Sequence, residues 1–199
     1  MLRRAGRIRR VLARRPQVRN FSIRGVYTSF PATLLYYSPL PKISLYKYTG
    51  NEDKDNVPLD DAVVPAADDL VYPTVLARNA FPYSNGAVLL PNTAMMQTDL
   101  RVYFSEFLKY NKGLQIELEP RILTIRKGTA VPSTLILFHE ISSRFSLQPR
   151  LGLTVKDLNL ELEKFFYIHA EKEGIRPWLQ RNAFMFAAKD KDESTWMGR

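Results

Sequence analysis

The chain has 199 residues and a formal net charge of +9, with no cysteine and two histidines. The absence of thiols excludes disulfides, thiolate nucleophiles and Cys-based zinc sites, and two histidines cannot build a His-rich centre, so no metal is expected. Eleven Lys or Arg precede the first acid, Glu52, and beyond it 18 basic residues stand against all 20 acids, so the basicity belongs to the leader, and the body has no general basic face for nucleic acid.

Residues 1–21 read as a mitochondrial transit peptide: rich in arginine, free of acids, and amphipathic if helical. Met1, Ala5, Ile8, Val11 and Leu12 then share one side and arginines take most of the rest, which suits a negatively charged membrane surface and an import receptor. Arg19-Asn20-Phe21-Ser22 resembles the matrix-peptidase cleavage pattern. Cutting there removes eight arginines and leaves a charge of +1. The predicted compartment is the mitochondrial matrix. The same leader also fits a disordered basic arm on RNA, as in an organellar ribosomal protein. No apolar run approaches the ~20 residues that span a bilayer, so no stable membrane insertion is expected.

Residues 22–42 form an extended, apolar and proline-containing arm. The body, 43–188, opens with Ile43 to Tyr48, an alternating aromatic strand. Thr49 to Asp69 is acidic and carries Pro58 and Pro65, a long loop that is either functional or a solvated excursion. Leu70 to Ala80 holds a short strand or helix, Phe81 to Gly86 is turn chemistry, and Ala87 to Leu90 is a buried strand closed by Pro91. Thr98 to Tyr110 is a helix with Leu100, Tyr103, Phe104, Phe107 and Leu108 on one face, ended by Gly113. Strands follow at Leu114 to Leu118, Arg121 to Ile125, Thr134 to His139 and Arg144 to Gln148, with a tight turn at Lys127-Gly128-Thr129. Thr154 caps the clearest helix, with Asp157 at the capping-box position and Leu153 and Leu158 placed as a hydrophobic staple. Its buried face is Leu158, Leu162, Phe165 and Phe166, and Gly174 and Pro177 mark its end. Residues 189–199 read as a disordered polar tail. Short strands, few helices, no βαβ alternation and no glycine-rich phosphate loop make this an α+β chain.

The chemistry rests on polar residues set in or beside apolar strands. Arg144, Ser146 and Gln148 share one face of a strand by period two, opposite Phe145 and Leu147. Such a face can line a cleft that grips a phosphate and an amide; a sheet with a solvated outer face needs the same alternation. Lys47 lies between two tyrosines and also reads as an edge lysine that discourages strand pairing. Asn92 and Thr93 follow a buried strand, and Gln97 and Thr98 open a helix whose first amides favour a phosphate. His139 and Glu140 end the preceding strand, where a histidine is either structural or an acid–base group.

The order Ser44-Leu45-Tyr46-Lys47, Gly86 with Pro91-Asn92-Thr93, Lys127-Gly128-Thr129-Ala130-Val131-Pro132 and Arg144-Phe145-Ser146-Leu147-Gln148-Pro149 resembles a known family. It is the ADP-ribosyltransferase-like toxin domain named for the second exported effector of a pseudomonad type VI secretion system, and its fungal branch looks closest. The resemblance runs from about Ile43 to Phe166. It implies two small antiparallel sheets with flanking helices, an NAD-binding cleft between them, and transfer of ADP-ribose from NAD, the substrate, to an acceptor macromolecule; an immunity protein is a further partner it admits. It assigns Lys47 and Arg144 to the NAD pyrophosphate, Asn92 and Thr93 to the nicotinamide or its ribose, Ser146 and Gln148 to the ribose and acceptor, and His139 to proton transfer in reserve. The sequence departs from the family pattern at three places. Lys47 stands where the bacterial relative has arginine, Arg144 where it has histidine, and Gln148 near where many transferases carry a glutamate. A non-catalytic binding protein on the same fold is the alternative reading.

Overall fold

The computed structural model describes residues 23–39, 42–48, 61–76, 84–110, 120–140, 142–182 and 197. The leader, most of the acidic loop, the turn at 81–83, the strand expected at Leu114 to Leu118 and the polar tail lie outside the described residues.

A four-stranded antiparallel sheet is built from β1 (Gly25–Tyr27), β5 (Ala87–Leu89), β7 (Leu135–His139) and β8 (Phe145–Pro149), in the order β1-β7-β8-β5. A three-stranded antiparallel sheet is built from β2 (Leu34–Ser38), β6 (Arg121–Ile125) and β9 (Ala170–Gly174), in the order β2-β6-β9. The sheets meet where Leu35 and Leu90 exchange backbone hydrogen bonds of 2.8 and 2.9 Å. A parallel pair, β3 (Tyr46–Lys47) with β4 (Ala62–Val63), lies beside them. Three helices complete the described fold: α1 (Ala94–Tyr110), α2 (Val155–His169) and α3 (Ile175–Arg181). The molecule is α+β, as its short strands and scarce helices imply.

The core sits against one face of both sheets. Phe145 and Leu147 of β8, Leu135 and Leu137 of β7, Leu34 and Tyr36 of β2 and Leu123 and Ile125 of β6 are buried against Leu158, Leu162, Phe165 and Phe166 of α2. Those four α2 residues are the predicted face. The helix begins as predicted, because the Thr154 hydroxyl accepts from Asp157 N at 3.1 Å and donates to the Asp157 carboxylate at 2.7 Å. A second cluster packs Met96, Leu100 and Phe104 of α1 on Leu35, Ile122 and Trp178.

Three features differ from the sequence reading. The arm before residue 42 carries β2, a strand hydrogen-bonded to β6 over its whole length. α1 starts four residues earlier than expected, because the Thr93 hydroxyl accepts from Met96 N at 3.2 Å and caps it. Gly174 and Pro177 do not end α2. That helix stops at His169, Ala170–Gly174 pairs with β6, and Gly174 is the N-cap of α3 with Pro177 in its first turn. Proline is tolerated there because its missing N–H would have no intrahelical partner.

Candidate active site

β7 and β8 form a hairpin in which His139 faces Phe145, Phe138 faces Ser146 and Ile136 faces Gln148. Side chains alternate along each strand, so this register sends Phe145, Leu147 and His139 to the core face and Arg144, Ser146 and Gln148 to the other. One step beyond the ladder, Glu140 N donates to Arg144 O at 2.9 Å. Glu140 therefore joins the polar face opposite Arg144.

The polar face is buried, which removes the reading of a solvated sheet surface. Ser146 and Gln148 are fully enclosed, and Glu140 is 5% exposed. The Glu140 carboxylate organises the group. One oxygen accepts from Ser146 Oγ at 2.6 Å and Gln148 Nε2 at 3.2 Å. The other accepts from Ser84 Oγ at 2.9 Å and Arg144 Nε at 3.1 Å. Arg144 also donates to Ser84 Oγ at 3.0 Å through Nη2, and Gln148 Nε2 donates to Ser146 Oγ at 2.7 Å. A carboxylate taken out of water needs this paired and hydrogen-bonded setting to stay charged.

Ser84 reaches Glu140 because Gly86 lies hard against β8. A Cβ on Gly86 would stand 2.3 Å from the Leu147 carbonyl oxygen and 2.8 Å from Gln148 Cα. Asn85 beside it adopts a left-handed conformation, φ 49°, and its amide accepts from Val64 N at 2.7 Å and donates to Tyr72 O at 3.0 Å. That amide ties the β4 segment and the 71–76 segment to the site. From the latter, Thr74 closes over Gln148: its backbone N–H and hydroxyl approach Gln148 Oε1 at 2.7 and 2.9 Å.

The structure thus brings together Arg144, Ser146 and Gln148 of the candidate residues and gives the others different surroundings. Lys47 is exposed and pairs with Asp69 at 2.5 Å. Asn92 donates to Asn182 at 3.2 Å and accepts from Gln97 at 2.8 Å, tying the start of α1 to the end of α3. Thr93 is the helix cap. His139 stacks on Phe145 on the core face, centroids 4.4 Å apart, with Nε2 2.5 Å from Ser142 O. Sequence reasoning named Glu140 only as a strand-end residue, with no role, and missed Ser84. Hairpin parity held the signal for Glu140, since pairing His139 with Phe145 places it opposite Arg144.

The cluster sets a cation, suited to a phosphate, beside a buried carboxylate, suited to a developing positive charge. The family model described as Tse2 ADP-ribosyltransferase toxin matches residues 32–178. The chain belongs to the Tse2 ADP-ribosyltransferase toxin family. The match covers α1 and α2, the whole three-stranded sheet, the four-stranded sheet except β1, and every residue of the Glu140 cluster, and the family implies NAD as substrate. No curated protein and no solved structure matches the chain.

Proposed function

We propose that this Tse2 family domain transfers ADP-ribose from NAD to an acceptor macromolecule, using the Glu140–Arg144–Ser146–Gln148 face, and that it acts in the mitochondrial matrix. The observation that carries the reading is Glu140: the late strand has no acid of its own, and the hairpin brings one to it. In the reaction the bond between ribose C1′ and the nicotinamide nitrogen breaks, and nicotinamide leaves with the electron pair. The acceptor's nucleophile bonds to C1′ and gives up its proton. Arg144, the most exposed member of the group, takes the NAD pyrophosphate through its guanidinium. Glu140 faces the positive charge that develops on the ribose, and Ser146 and Gln148 hold the ribose hydroxyls. In this reading Lys47, Asn92, Thr93 and His139 hold the fold, through the contacts described above.

The test is nicotinamide release by the purified protein, compared with Arg144→Ala and with Lys127→Ala. Lys127 sits in a turn and donates to Met197 O at 3.0 Å, away from the cluster. Release that falls at least tenfold in the Arg144 variant alone supports the reading; equal losses remove Arg144 from the site. The matrix assignment rests on the arginine-rich leader. A fluorescent protein fused behind residues 1–21 is expected to enter mitochondria, and a cytosolic signal rejects that assignment.

A further inference from the structure

The Gln148 amide has no hydrogen-bonding capacity left for a substrate. Its oxygen accepts two hydrogen bonds, both from Thr74, and its NH2 donates two, to Ser146 and Glu140. An amide has two acceptor positions and two donors, so the group is saturated. Ser146 donates its proton to Glu140 and accepts from Gln148, which leaves its hydroxyl one acceptor position and no donor. Among the six side chains of the cluster, Arg144 alone reaches solvent appreciably, with 30% of its side chain exposed. Thr74, Ser84, Glu140, Ser146 and Gln148 are all buried.

We propose that the turn Pro73 to Leu76 is an autoinhibitory latch, in which Thr74 occupies the acceptor positions of Gln148 Oε1 that substrate hydroxyl groups take when NAD is bound. The inference rests on the reading of this face as the NAD site. Among the described residues the covering segment is held at its start. Val71 and Leu153 exchange backbone hydrogen bonds of 2.7 and 3.1 Å, and Asn85 holds Tyr72 O. From there the chain turns, Leu76 N donating to Pro73 O at 2.8 Å. Beyond Thr74, Val75 and Leu76 are exposed, and Pro73 is the one buried apolar residue of the turn, so the apolar burial that opposes lifting it is that of a single proline. What fastens it is polar: the Thr74 amide and hydroxyl on Gln148 Oε1, and the same hydroxyl 3.1 Å from Ser84 O. A hydrogen-bonded clasp over a turn that buries one proline exchanges one set of hydrogen bonds for another when a hydroxyl-rich ligand enters. Its closed population lowers the apparent affinity for NAD by the fraction of molecules that are open.

A latch and a mere support for Gln148 predict opposite signs. Thr74→Val keeps the shape and the backbone N–H but removes the hydroxyl. Titration calorimetry is expected to show NAD binding about fivefold tighter in Thr74→Val, the effect of one net hydrogen bond on the closed state, and unchanged in Thr74→Ser. In the wild-type protein, hydrogen exchange at the Thr74 amide is expected to speed up at saturating NAD. NAD binding that is equal or weaker in Thr74→Val, or a Thr74 amide that gains protection with NAD, overturns the latch and leaves the NAD site standing. Absence of NAD binding in the wild-type and in both variants overturns the latch and the proposed function together.

Discussion

Glu140 is the residue on which both the local fold and the chemistry turn. It is buried, it touches Ser84, Arg144, Ser146 and Gln148, and its pair with Arg144 is the charge balance of the cluster. Removing one member of such a pair leaves the other uncompensated, at a cost of about 3 kcal/mol. Glu140→Ala is therefore expected to lower the urea midpoint, and Glu140→Gln to lower it less, because the amide still accepts from Ser146 or Arg144. Both are expected to lose nicotinamide release, and an active Glu140→Gln would show that the charge has no catalytic part. Tyr37 presents the reverse case. Its hydroxyl is buried beside Tyr103, with no partner in good hydrogen-bond geometry among the described residues. Burial first, and the neighbouring Tyr103 second, hold its pKa far above the ordinary tyrosine range. A raised folded-state value means the stability contribution is complete below about pH 10, the unfolded value, and is lost as pH climbs beyond it. Tyr37→Phe is expected to be as stable as the wild type or more so at neutral pH, since it discards an unsatisfied polar group. Its denaturant midpoint is expected to fall less steeply above pH 10.

At the scale of elements, what periodicity encodes was legible and what pairing encodes was not. β6, β7 and β8 follow from alternation, and α2 follows from Thr154, Asp157 and four apolar residues at helical spacing. β9 was hidden because Ala-Glu-Lys-Glu-Gly has no apolar alternation; β6 recruits it as an edge strand, and Glu171 pairs there with Arg126. β4 was hidden inside an acidic loop and is two residues long. In the candidate site, the Arg144, Ser146 and Gln148 alternation stood in plain view, while Glu140 and Ser84 join it only through strand register and through the approach of Gly86. That approach makes Gly86 the weakest point for substitution. A Cβ there meets the β8 backbone, which has no flexible end to yield, so Gly86→Ala must push β5 away from β8 and Ser84 away from Glu140. The expected cost is about 2 kcal/mol or more, with loss of nicotinamide release at temperatures where the variant remains folded. A variant with wild-type stability would contradict the close approach.

Across the whole molecule the decisive separation is between a cationic leader and a near-neutral body. Residues 1–21 hold eight arginines and no acid, and the rest of the chain carries a charge of +1. Among the described residues four cations pair with nearby acids: Arg126 with Glu171, Arg181 with Glu173, Lys47 with Asp69 and Arg144 with Glu140. A near-neutral body is not expected to offer a row of cations to a phosphate backbone, so nucleic-acid affinity is expected to reside in residues 1–21. For single-stranded RNA each engaged cation contributes about −0.7 to the slope of log affinity against log salt. The full chain is expected to bind RNA with a steep slope that several arginines set, and the chain from Ser22 onward to bind weakly with a slope near zero. Filter binding across a salt series measures both. A steep slope retained by the shorter chain would revive the organellar ribosomal reading, because it would require a basic face on the folded body. A slope lost with residues 1–21 removes the ribosomal reading from the folded body, because it places the only phosphate-binding cations outside it.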